Sequence, residues 1–259
     1  MKKVTFLIPV LMFVISILVY PSLPDVIPMH WNIRGEVDNY MPKSSAIWFV
    51  PTMTMILWVL FQFLPLLDPK KDKYKLFQKE WDIIQATIIG FMAYLHGVVF
   101  YIALHPSVVI FPWIFIGLGA LFVLMGNYLS KIRQNYFIGI KLPWTLADED
   151  NWNKTHRFAS WCFVIVGIIT LVEAYVIWYA PVVIFGGIML ASLLPTIYSF
   201  LLYKNSAYKM KYVYAILLGL MFLVFTIRFI SGEDDWICQN GEWVQHGHPS
   251  APQPVTRCW

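Results

Sequence analysis

Residues 158–179 read FASWCFVIVGIITLVEAYVIWY. Across this whole stretch the only charged side chain is Glu173, and there is no proline. A helix of that length rises about 33 Å, enough to cross a hydrocarbon core of about 30 Å. A barrel strand would alternate and end after about ten residues. Six further runs have the same character, at 4–20, 45–67, 83–103, 108–127, 181–202 and 212–230. The 259-residue chain is 59% hydrophobic and only 13% charged. Soluble domains carry about 25% charged residues, so this chain could not cover a water-exposed surface. Low hydrophobicity and high charge, the marks of disorder, are both missing. The sequence therefore predicts an all-α, polytopic membrane helical bundle with seven transmembrane helices. Pro51, Pro112 and Pro195 lie inside runs and predict kinks.

The net charge of +4 resolves into a topological signal. Fifteen of the Lys and Arg residues fall before the first run or in alternate loops on the same side, among them Lys70, Lys71, Lys73, Lys75, Lys131 and Arg133. Three, Arg34, Lys43 and Arg257, fall on the other side, and Arg228 lies near the end of the last run. Basic loops stay in the cytoplasm, which places the N-terminus inside and the C-terminus outside. The basic excess is thus not a nucleic-acid patch. The first run is longer than a signal-peptide core and no A-x-A site follows, so it reads as an uncleaved anchor. The expected location is the plasma membrane, multi-pass, with lipid as the general partner.

Three segments follow from this reading: a two-span module over 1–67, a five-span bundle over 68–230 and an exported tail over 231–259. In the tail, Cys238 and Cys258 face an oxidising compartment and are expected to form a disulfide across a small irregular hairpin. His246 and His248 join them in no familiar zinc spacing, so no metal is expected. Cys162 lies within a span and reads as a buried apolar residue.

Two loops hold most of the polar residues. The external loop 21–44, PSLPDVIPMHWNIRGEVDNYMPKS, has prolines at 21, 24 and 28 that forbid helix and favour an extended path. Asp25, His30, Asn32, Gly35, Asp38 and Lys43 form its candidate ligand set. The alternative is that they tie the loop to itself, with Trp31 and Met29 resting on the membrane surface. The cytoplasmic loop 128–157 mixes aromatics with Asn135, Thr145, His156 and Arg157. Thr145 or Asp148 can cap a helix running into the fifth span. This loop is either an interfacial anchor or a docking surface for a cytoplasmic protein. Within the spans, His96, Glu173 and Arg228 fall at similar depth. They suggest either a packing pair or a polar cavity opening toward the external loop.

These segments carry a resemblance. Pro28, His30, Trp31, Asn32, Gly35, Asp38 and Lys43 follow the pattern P-x-H-[WF]-N-x-x-G-x-x-D-x-x-x-x-K. Gly126 and Asn127, then Asn135, Gly139, Ile140, Lys141, Leu142, Pro143, Trp144, Thr145 and Leu146, then Trp152, Thr155, His156 and Arg157, follow a second pattern. Together they resemble the SdpI family of bacterial membrane proteins. Two positions depart: Lys141 and Leu142 stand where the pattern has Arg and Thr. The resemblance implies a non-enzymatic role, protection against an extracellular toxic peptide. In the best-known member it also implies that a small winged-helix repressor is held at the membrane, which makes loop 128–157 the candidate partner surface. No hydrolase or phosphate-binding motif is present, and no cofactor is expected. The rival reading is a small-solute or proton-coupled transporter, which the span prolines would permit but which no internal repeat supports.

Overall fold

The computed structural model describes residues 2–32, 35–176, 180–205, 235–239 and 242–246. The predicted seventh span 212–230, with Arg228, lies outside them, as do Arg34, His248 and Cys258. The chain divides into two compact units, Met1–Asn205 and Ser206–Trp259.

The first unit is a helical bundle. Its long helices are α1 (Lys2–Val19), α2 (Lys43–Leu67), α3 (Gln78–Leu104), α4 (Phe111–Leu129), α6 (Glu149–Val176) and α7 (Ala180–Asn205), with a short α5 (Pro143–Ala147) before α6. Among the described residues, six helical segments are long and apolar enough to cross a membrane. Hydropathy located the hydrocarbon-facing part of each, but α3 and α6 begin before their apolar runs. The α6 start is set by Asp148, whose Oδ1 accepts the Asp150 N–H at 2.9 Å. Pro112 does not kink a span. It sits in the first turn of α4, where a missing N–H costs nothing. Pro51 and Pro195 do lie inside helices.

Helices α1, α2 and α3 pack together, and α4 packs on α3, on α6 and, through α6, toward α7. The α4–α6 contact is close because glycines line it. A Cβ on Gly119 would meet the Gly167 carbonyl at 2.9 Å, and one on Gly167 would meet the Val123 amide at 2.7 Å. Small residues let backbones approach where lipid offers no hydrophobic drive.

The loop read as merely extended is a hairpin. Strand β1 (Val26–Trp31) pairs antiparallel with β2 (Val37–Pro42), with irregular register around His30. Pro28 is tolerated because the sheet has only two strands, so each is an edge. Ile27 is fully buried with Leu23, Ala46, Ile47, Phe100 and Ala103, which seats the hairpin on one end of α2 and α3. Trp31 packs on Val98, Ile102 and Ile110, and Met29 on the Ile27 cluster. Both are thus half-buried against the protein. In the second unit β3 (Asp235–Gln239) pairs antiparallel with β4 (Glu242–His246), the hairpin expected of the tail. Cys238 on β3 is disulfide-bonded and Cys162 is free. The expected partner, Cys258, lies outside the described residues.

Candidate functional site

The two motif-bearing segments sit at opposite ends of the bundle. At the hairpin end, the tip is built by Gly35, whose φ of +79° suits glycine. Its N–H donates to the Asn32 carbonyl at 2.9 Å, and a Cβ there would meet the Phe111 ring at 2.7 Å. Asn32 closes the turn, accepting the Glu36 N–H at 3.1 Å and donating to the Glu36 carboxylate at 2.8 Å. Lys43 anchors the base. Its ammonium donates to the Leu23 carbonyl at 3.2 Å, lies 3.2 Å from Asp25 Oδ1 and sits over the Tyr20 ring. On the exposed side, His30 Nδ1–H donates to Asp38 Oδ1 at 2.6 Å. Of the six candidate ligand residues, then, four shape the hairpin and two, His30 and Asp38, form an exposed acid–imidazole pair. With Nδ1 engaged, Nε2 of His30 is the ring atom left to meet a ligand.

At the other end, segments 68–77 and 130–149 fold into one hydrogen-bonded plug. Asp68, 2% exposed, closes it. Its carboxylate accepts the Lys70 N–H at 2.7 Å, the Tyr74 hydroxyl at 3.1 Å and the Tyr136 N–H at 2.9 Å. Burial, then the Asp68 charge, pushes the Tyr74 phenol well above its ordinary pKa, so it stays a donor. The Lys70 ammonium donates to Gln134 Oε1 and to the Leu146 carbonyl. Burial and the neighbouring Lys73 pull its pKa below the usual lysine value, against Glu149 and Asp68, which raise it. Gln134 Nε2 in turn donates to the Thr145 and Leu146 carbonyls. Lys73 reaches Glu149 at 2.6 Å and ties this plug to the first turn of α6.

The second motif supplies the rest of the plug. Asn135, fully buried, accepts the Phe137 and Ile138 N–H groups and donates to the Arg133 and Ile138 carbonyls. Thr145 Oγ1 accepts the Leu142 N–H and donates to the Ile140 carbonyl, both at 2.8 Å. Trp152 Nε1–H donates to the Ile132 carbonyl at 2.9 Å. Trp144 Nε1–H donates to Ser199 on α7, and Ser199 donates to Asn151, which also accepts from Thr155. His156 Nδ1–H donates to the Trp152 carbonyl at 2.8 Å, while Nε2 accepts the Ile140 N–H at 2.9 Å. Only the neutral imidazole satisfies both bonds.

This corrects two expectations. Trp144 and Trp152 are buried inside the protein, so they do not anchor the loop at the lipid interface. Asn135, Trp144, Thr145, Trp152 and His156 are likewise closed to a docking protein. Asn127, Lys141, Pro143 and Arg157 are the motif residues left exposed. Asn127 bonds back to the Val123 carbonyl and Lys141 to the Phe137 carbonyl. Asp68, Lys70, Tyr74 and Gln134 were not singled out by sequence. The available signal was a lone carboxylate directly after an apolar run, followed by Pro69 and a basic cluster.

Of the intramembrane trio, His96 and Glu173 are among the described residues. His96 Nε2 lies 3.1 Å from Ser16 Oγ on α1, and its Nδ1 makes no well-formed hydrogen bond within the protein. His96 is therefore not paired with Glu173, which is buried on α6. Arg228 lies outside the described residues.

Comparison with known proteins agrees with both ends of the molecule. The model of the SdpI/YfhL protein family matches residues 131–199, which cover the second-motif half of the plug and most of the two helices after it. A domain of unknown function, DUF1648, matches residues 7–55, which include the hairpin. Immunity protein SdpI of Bacillus subtilis (strain 168) is 29% identical over 208 residues, covering 79% of this chain and 98% of that protein. No solved structure matches. With its plug motif inside the matched region and its spans in place, this multi-pass membrane protein resembles the SdpI/YfhL family.

Proposed function

We propose that this chain is a non-catalytic immunity protein of the bacterial plasma membrane, protecting the cell from a toxic peptide that acts from outside. The observation that carries the reading is the match to an immunity protein along 98% of that protein's length. The hairpin is the receiving surface. It lies on the face that the Lys/Arg asymmetry assigns to the exterior, and it offers the exposed His30–Asp38 pair above a fixed base. At the plug, the exposed Lys141 and Arg157 are the residues through which a cytoplasmic protein would engage.

The test is survival. A Bacillus subtilis strain lacking SdpI is grown beside its toxin-producing parent, with or without this chain. Protection by the wild type, reduced by His30→Ala and Asp38→Ala at equal membrane abundance, supports the reading. Equal killing with and without the chain refutes it for that toxin. Transport is the second reading, favoured by Glu173, a buried carboxyl group in a span. Glu173→Gln would abolish proton-coupled transport, since an amide does not titrate, and would leave protection largely intact.

A further inference from the structure

The seam where α1, α2 and α3 meet is polar inside. Thr5, Ser16, Thr54, Gln85 and His96 are each 4% exposed or less. Lipid tails offer no hydrogen bonds, so such groups need protein or water. Near the plug end, Trp58 Nε1–H donates to Thr5 Oγ1 at 3.2 Å. Gln62 Nε2 donates to the Trp58 carbonyl at 3.2 Å and to Gln85 Oε1 at 3.1 Å. Nearer the hairpin, the Thr54 hydroxyl donates to the Val50 carbonyl at 2.7 Å, and Ser16 meets His96 Nε2.

Two atoms are left over. Gln85 Nε2 and His96 Nδ1 are both buried and neither makes a well-formed hydrogen bond within the protein, the Met12 backbone beside the imidazole being at best a weak partner. Leaving such atoms bare in a packed interface is costly and rare. The amide nitrogen can only donate, so it needs an acceptor, while the imidazole nitrogen takes either role. Water is the small molecule that serves both. Gln85 and His96 stand about 16 Å apart along α3, so one water cannot serve both. The Thr54 hydroxyl oxygen, with acceptor capacity to spare, lies on α2 between the two levels.

We propose that the α1–α2–α3 seam holds two internal water sites, one at Gln85 Nε2 and one at His96 Nδ1. Such a water gives the His96 imidazole a proton-exchange partner within the membrane. His156 is the built-in control, because it is fully buried and spends both ring nitrogens on protein atoms.

The experiment is water-edited solid-state NMR on the full chain in lipid bilayers, with ¹⁵N-labelled His and Gln. Magnetisation should build up on His96 and on the Gln85 amide several-fold faster than on His156. The His96→Phe and Gln85→Leu variants assign the signals, and sequential correlations in the wild type assign them if a variant fails to fold. Build-up on His96 as slow as on His156 overturns the His96 site. Build-up on Gln85 at the His156 rate overturns the other.

Discussion

Replacing Gly139 by alanine should unfold the plug from its centre. Gly139 has φ of +111°, a region that L side chains rarely adopt. Holding alanine there costs about 1–3 kcal/mol. The new Cβ would lie 2.3 Å from His156 Nε2 and 3.1 Å from the Trp152 ring. The imidazole cannot slide away freely, since it stacks on Trp152 at 4.0 Å between centroids and is tethered by Nδ1. Displacing it strips the Ile140 N–H of its acceptor, for about another 1–3 kcal/mol. The total, about 2–6 kcal/mol, is a large share of the 5–15 kcal/mol that holds a typical domain folded. Thermal unfolding in detergent, read by thiol-reactive dye at the free Cys162, should show a midpoint lower by about 5–20 °C, scaled from soluble domains. Lys141→Ala, at an exposed side chain with one hydrogen bond to a carbonyl, should change stability by no more than about 0.5 kcal/mol. A Gly139→Ala protein that melts with the wild type would refute the account of the plug as a set of mutually required bonds.

Three other outcomes are expected. Asp68→Asn should lower stability by about 1.5–3 kcal/mol, because its amide group would face one of the N–H or O–H donors that the carboxylate now accepts; an unchanged melting curve would show that those contacts carry no weight. Reporter fusions after Lys75 and Lys141 should be cytoplasmic and a fusion after Trp259 external, as the Lys/Arg asymmetry requires; a cytoplasmic C-terminus would break the seven-span topology. Mass spectrometry of unreduced, denatured protein should find a Cys238–Cys258 cross-link and alkylation at Cys162 alone, whereas alkylation of Cys258 would exclude the pairing.

What the sequence made legible follows from which forces are local. Spans declare themselves because hydrocarbon demands an unbroken apolar run, whatever the neighbours are. The hairpin did not, because β1 carries Pro28 and lacks a clean alternation. What fixes it is Ile27 and Trp31 docking on residues of α3 some seventy positions away. The plug was half legible. The Asp148 cap and the positive-φ glycine leave local marks, but the Asp68–Tyr136 and Trp144–Ser199 bonds join segments far apart in sequence. His96 and Glu173 lay at matching depths by counting along the helices. Depth along an axis says nothing about rotation around it, and His96 faces α1.

The departure at Lys141 has its own physical reading. An arginine at this position brings a planar fork suited to bidentate contacts, which lysine cannot reproduce. Here the side chain makes one hydrogen bond, to the Phe137 carbonyl at 3.0 Å, and a single ammonium donor is sufficient for that. The exchange therefore leaves the plug intact and alters only what the exposed head group offers to solvent or to another protein. The buried members of the same motif have no such freedom. His156 must keep one protonated and one bare nitrogen, Asn135 must both donate and accept, and position 139 must lack a Cβ. Under the proposed function, the motif positions open to a partner are the exposed ones, Asn127, Lys141, Pro143 and Arg157 at the plug and His30 and Asp38 at the hairpin, while the buried members build the platform that presents them.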